Sequence, residues 1–136
     1  MDGYRFTETI PLRLRDIDQM NHVNNAVYAT FLEQTRSAYF RDVVGNPLDS
    51  VGMVIADLNV EFERAITLAA GEVVVGARVP ELGTSSIPME YEIQADGERA
   101  ATGATTLVHV DREEGTAKPL PDEWRETITD FESLES

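Results

Sequence analysis

Residues 15–47, RDIDQMNHVNNAVYATFLEQTRSAYFRDVVGNP, decide the fold. The stretch opens with a polar run, 15–25, whose Asp, Asn and His favour a loop with Asx turns over regular structure. Asn24 or Asn25 then supplies a helix N-cap. Residues 26–43 follow helical spacing: Tyr28, Phe31, Leu32, Thr35 and Tyr39 fall on one stripe, while Glu33, Gln34, Arg36, Ser37 and Arg41 fill polar positions. Gly45 and Pro47 close the helix.

Outward from this helix the period changes from 3.6 to 2. Before it, residues 4–14 alternate, with Tyr4, Phe6, Ile10, Leu12 and Leu14 on one face and Arg5, Thr7, Thr9 and Arg13 on the other. Glu8 interrupts the apolar face, as at a bulge or an exposed edge. After it come four more predicted strands, at 53–63, 72–82, 85–95 and 99–110. In the first of these Leu58, Val60 and Phe62 alternate with Asn59, Glu61 and Glu63. Gly83 and Asp96-Gly97 mark the connections, and Asp-Gly is a strong hairpin signal. Pro121 to Arg125 starts a short helix, and the acidic tail from about residue 130 is expected to fray. Five strands and one long helix predict an α+β fold, with the helix packed on one face of a largely antiparallel sheet in a single domain, 1–136. Such a sheet has exposed edges, which a dimer would protect.

Composition narrows the function classes. The chain of 136 residues is 42% hydrophobic, enough for one core, and contains no cysteine, which removes disulfides, thiolate chemistry and cysteine-based metal sites. No apolar run is long enough to span a bilayer, and no basic-then-apolar leader follows Met1, so a cytoplasmic location is expected. The 25 acidic residues outnumber the 11 basic ones for a net charge of −14, and Lys118 is the single lysine. Such a surface repels nucleic acid and anionic membranes. It resembles the surface of proteins of a salt-loaded cytoplasm, where ions screen the self-repulsion; an ordinary acidic cytosolic protein is the alternative.

The chemistry concentrates in Asp16–Tyr28. Two carboxylates, one imidazole and several amides stand directly ahead of a helix, whose first backbone N–H groups and positive dipole end can polarise a carbonyl. A nearby carboxylate can attack that carbonyl or activate water, and these two parts suffice for acyl transfer. The same residue types also serve as caps, so composition alone leaves both roles open. Ser85 and Ser86 lack a nucleophile-elbow context. His22 and His109 lack metal-ligand spacing, so no metal or cofactor is called for. His109 on its apolar strand reads as structural, and Trp124 as a packing anchor. Glu33 is a second candidate acid or base, or else a solvated helix position.

The run Arg15-Asp16-Ile17-Asp18-Gln19-Met20-Asn21-His22-Val23-Asn24-Asn25-Ala26-Val27-Tyr28, followed by Phe31, Glu33 and Arg36, resembles the 4-hydroxybenzoyl-CoA thioesterase-like family of hotdog-fold acyl-CoA thioesterases. Asn59–Arg64, Ala70-Gly71-Glu72, Leu82–Ser86 and Pro119–Trp124 agree with it. The resemblance implies a hotdog fold, in which a long central helix lies in a curved five-stranded sheet, and two subunits join their sheets. It implies hydrolysis of an acyl-CoA with Asp18 as general base or nucleophile and the Asn25 backbone N–H polarising the carbonyl. His22 and Asn24 fall on positions that shape the site, and Tyr28 on the first helical aromatic. Glu33 and Arg64 are candidate substrate contacts, with Arg78 and Arg99 as further candidates for the CoA phosphates. Position 21, often glycine in the family, is Asn here, a residue that tolerates positive φ. Thr84 replaces a frequent basic residue. A hydratase on the same fold and a non-catalytic thioester-binding module are the alternatives. A homodimer or homotetramer is expected, and the acyl group is left open.

Overall fold

The computed structural model describes residues 1–135. Its elements are β1 (Phe6–Pro11), α1 (Asn25–Tyr39), β2 (Met53–Phe62), β3 (Glu72–Arg78), β4 (Ser86–Ala95), β5 (Glu98–His109) and α2 (Asp122–Glu132). The strands form one sheet in the order β1-β3-β4-β5-β2, with every neighbouring pair antiparallel. The expected antiparallel run from residue 72 is therefore present. Its tight turn is at Asp96-Gly97, where both residues take positive φ (53° and 74°), the conformation that a two-residue hairpin of this twist requires.

α1 packs on one face of this sheet. All five stripe residues, Tyr28, Phe31, Leu32, Thr35 and Tyr39, are buried against Val73, Val75, Ile87, Met89, Tyr91 and Leu107. Thr35 enters the core by donating its hydroxyl back to Phe31 O at 2.8 Å. The helix sits so close to β5 that a Cβ on Gly103 would lie 2.8 Å from Leu32 Cδ1. Its last turn widens over Phe40–Val44 and ends at Gly45, whose φ of 85° suits glycine.

Several boundaries differ from the sequence reading, each for a local reason. β1 ends at Pro11, and the chain turns through a short 3-10 segment, leaving Leu14 78% exposed rather than inward. β3 stops at Arg78, because Pro80 follows and the Val79 N–H is taken by Glu132 Oε2 at 2.9 Å. Arg36, expected on the polar side of the helix, is only 4% exposed and points its guanidinium at Tyr91 Oη, 3.4 Å away. Tyr91 Oη is in turn 2.7 Å from Thr105 Oγ1. α2 buries Trp124 and Ile128 and is helical through Glu132, so residues 130–132 belong to the helix. No helix among the described residues is long and apolar enough to cross a membrane.

Candidate active site

The polar run ahead of α1 folds as a small hairpin rather than an open loop. Asn24 N–H donates to Asp16 O (2.8 Å), Ile17 bridges Val23, and Asp18 N–H donates to His22 O (2.8 Å). At the tip, Asn21 N–H donates to Asp18 O and Asn21 takes φ 64°, the left-handed conformation that Asn tolerates. The base is anchored twice. Val23 N–H donates to Ile66 O at 2.7 Å, tying the hairpin to the segment after β2. Asp16, 3% exposed, takes the Arg13 N–H on Oδ2 at 2.9 Å and faces the Arg13 guanidinium at 3.4 Å. The first Asp of the pair is therefore structural, and it holds the second in place.

That second carboxylate is arranged differently. Asp18 is half-buried, and its Oδ1 accepts the N–H groups of Met20 (2.8 Å) and His22 (3.3 Å). Oδ2 takes no donor from the described residues. One oxygen thus fixes the orientation of the group while the other is free for chemistry.

The hairpin delivers the chain directly into α1. Asn24 is the N-cap, its side chain accepting from Ala26 N–H at 2.9 Å. Asn25 is the first helical residue, so its backbone N–H has no carbonyl four residues back to bond. A cleft of about 350 Å³ brings Asp18, His22, Asn25 and Tyr28 together with Phe62 at the end of β2 and Arg64 just beyond it. Tyr28 and Phe62 meet edge-to-face at 4.9 Å, and burial raises the Tyr28 phenol above its ordinary value. Phe62 is a lining residue that the sequence did not mark as part of the site, as are Met20, Val23, Glu63 and Ala65. The signal for Phe62 was an aromatic closing an alternating strand beside Glu63-Arg64.

The remaining candidates are placed as follows. Asn24 is exposed and serves as the cap rather than as a wall of the cleft. Glu33 is exposed on α1 and lies outside the cleft. Arg64 borders the cleft and pairs with Glu98 at 2.5 Å. Arg99 pairs with Glu63 (3.0 Å), and Arg78, whose guanidinium lies over the Tyr4 ring, pairs with Glu90 (2.8 Å). His109 directs Nδ1 to Pro119 O at 2.9 Å and packs its ring 5.0 Å from Trp124, a structural placement. Among the described residues no group of three or more His, Asp or Glu is placed to hold a metal ion. A larger groove, about 890 Å³, lies beneath α2, but it holds none of the hairpin residues and no helix N-terminus faces a carboxylate there. The smaller cleft is the one that brings a carboxylate and a helix N-terminus together.

The profile of the thioesterase-like superfamily matches residues 12–128. The chain belongs to that superfamily. A thioesterase of Thermus thermophilus, solved in complex with coenzyme A and zinc, superposes with a TM-score of 0.90 and 37% identity over the whole of both chains. The DHNA-CoA thioesterase of Staphylococcus aureus shares the fold, with a TM-score of 0.82 and 24% identity over 95% of this chain and 91% of that one. The protein YsmA of Bacillus subtilis strain 168 is 26% identical over 128 residues, covering 93% of this chain and 86% of that protein. A long helix on a five-stranded antiparallel sheet is the hotdog architecture of thioesterase-like superfamily members, as the resemblance implied.

Proposed function

We propose that the protein is an acyl-CoA thioesterase that hydrolyses an acyl-CoA to a free carboxylic acid and CoA at the Asp18 cleft. The observation that carries this reading is the pairing in one cleft of a half-free carboxylate with the first N–H of a long helix. The thioester carbonyl oxygen accepts the Asn25 N–H, which stabilises the negative charge as the carbonyl carbon becomes tetrahedral. Asp18 Oδ2 either takes a proton from the attacking water or attacks the carbon itself. The C–S bond then breaks, and the thiolate leaves to collect a proton; where Asp18 itself has attacked, water then hydrolyses the mixed anhydride, releasing the acid and restoring the carboxylate. His22 positions Asp18 through its backbone N–H, and Tyr28 with Phe62 forms the apolar wall beside the reacting carbon. Arg64, exposed at the rim, exchanges Glu98 for a CoA phosphate. The CoA-bound Thermus relative supports CoA as the carrier. An acidic carrier protein would be repelled by a chain of net charge −14.

The reading includes a second copy. β2 is a sheet edge, exposed or half-exposed along its whole length, with Ile55, Leu58 and Phe62 46–49% accessible on its helix-facing side. β2 of another subunit would bury this row, satisfy the free edge and close the open wall of the cleft at Phe62. We place this single-domain enzyme in a salt-rich cytoplasm. The test is thiol release from a panel of short, medium and aromatic acyl-CoAs in molar potassium chloride, with wild type and Asp18→Asn side by side. Turnover that falls by about 10²-fold or more in the variant is the expected result. An absence of turnover on every thioester would transfer the reading to a binding module or a hydratase.

A further inference from the structure

The free edge that would receive the second copy carries opposed features on its two faces. Helix-facing Ile55, Leu58, Val60 and Phe62 lie opposite Leu107, Thr105, Gly103 and Ala101 of β5. On the outer face Asp57, Asn59 and Glu61 lie opposite Thr106, Ala104 and Thr102. Asp57 and Glu61 are exposed, and neither has an ion-pair partner among the described residues. Their neighbour Glu63, by contrast, is neutralised by Arg99. The apolar row favours edge pairing, and the acid row opposes it.

We infer that ionic strength assembles the active cleft, because β2 pairs with its copy only once cations screen Asp57 and Glu61. The inference rests on the two-copy reading above, not on the reaction. In a continuous antiparallel sheet, residues directly opposite point to the same side. A two-fold axis centred on Asn59 sets Asp57 against Glu61 of the other copy, twice. Centred on Asp57 or on Glu61, it sets that acid against its own mate. Centred on Leu58 it leaves the two Asp57 side chains diagonal, and centred on Val60 the two Glu61 side chains. Every such register brings carboxylates within one cross-strand step. Directly opposed side chains there are only about 4.5–5.5 Å apart at Cβ, and like charges so placed destabilise the pair. The screening length is about 10 Å at 0.1 M salt and about 3 Å at 1 M, so the repulsion is felt at the first and removed at the second. The net charge of −14 on each copy adds to it. Edge acids can also exist to keep a strand single. A strand kept single has no use for the exposed apolar row on its other face.

The test is molar mass by light scattering during gel filtration of the full chain, at about 0.1 M and about 1 M potassium chloride. Far-ultraviolet circular dichroism is recorded on each sample. Wild type is compared with the double variant Asp57→Asn, Glu61→Gln and with a control that removes the same charge from exposed positions of α2, Glu123→Gln, Glu126→Gln. The expected result is a folded monomer for wild type and control at low salt and a dimer at high salt, with a dissociation constant at least tenfold smaller. The β2 variant is expected to be dimeric at both. A wild-type dimer at low salt, a monomer at both salts, or an equal salt response in all three proteins overturns the inference. Loss of the dichroism signal in step with dissociation overturns it too, since salt would then act on the fold rather than on the edge. No substrate enters the measurement, so its failure is separate from failure of the thioesterase reading.

Discussion

The two ends of the sheet use similar residues for opposite purposes. At one end, the hairpin ahead of α1 holds Asp18 and His22 half-buried, with one Asp18 oxygen bonded and the other free. At the other, His109 is buried with its Nδ1 committed to Pro119 O, and Trp124 lies between it and Phe40, ring centroids 5.0 and 5.9 Å away. There Glu132 accepts both the Tyr39 hydroxyl (2.7 Å) and the Val79 N–H, joining α1, β3 and α2. Burial and this carboxylate hold the Tyr39 phenol far above its ordinary value, so it stays a hydrogen-bond donor. Polar groups whose bonds are all made stabilise the fold. A polar group left with one open valence on a fixed frame is available for chemistry.

Separate variants at the two ends sharpen this contrast. The largest effect on stability is expected from Trp124→Ala, which empties a fully packed site and costs about 3–5 kcal/mol. It shows in the denaturant midpoint, while the rate per folded molecule is unchanged. Tyr39→Phe removes a hydrogen bond to a carboxylate and costs about 1.5 kcal/mol by the same measurement, again without a change in rate. The smallest effect is expected from Asn24→Ala, where loss of the N-cap costs about 1 kcal/mol. Here the rate should fall as well, because the cap sets the first turn of α1 that carries the Asn25 N–H. A Trp124→Ala protein that is stable but inactive would break the comparison, since the two ends would then not be separable.

How much of this was readable in the chain follows from the range of each interaction. The stripe Tyr28–Phe31–Leu32–Thr35–Tyr39 and the Asp96-Gly97 turn depend on neighbours within a few residues, and both stand in the structure as the spacing predicted. Asp18, His22, Asn25 and Tyr28 were legible together because a single hairpin-to-helix segment carries them. Phe62 and Arg64 arrive from some forty residues away, and alternation shows which way a strand's side chains face but not which strand lies beside it. For that reason β2 could be recognised as a strand but not as an edge, and the alternation of Leu58 and Phe62 gave no sign that both stay half-exposed. Arg36 was misplaced for the same reason: the phenol and hydroxyl that admit it to the core, Tyr91 and Thr105, lie 55 and 69 positions further along. Glu132 belongs to the same class, since nothing near it in sequence reveals Tyr39 or Val79.

The central claim is that the free oxygen of Asp18 does the chemistry while its bonded oxygen only holds it in place. Asp18→Asn keeps an oxygen to accept the Met20 and His22 N–H groups, so the hairpin should survive. The direct measurement is the initial rate of acyl-CoA hydrolysis by this variant, with its unfolding midpoint taken on the same sample. The account predicts a rate lower by about 10²–10⁴-fold and a stability within about 0.5 kcal/mol of wild type. An undiminished rate in the folded variant would contradict it.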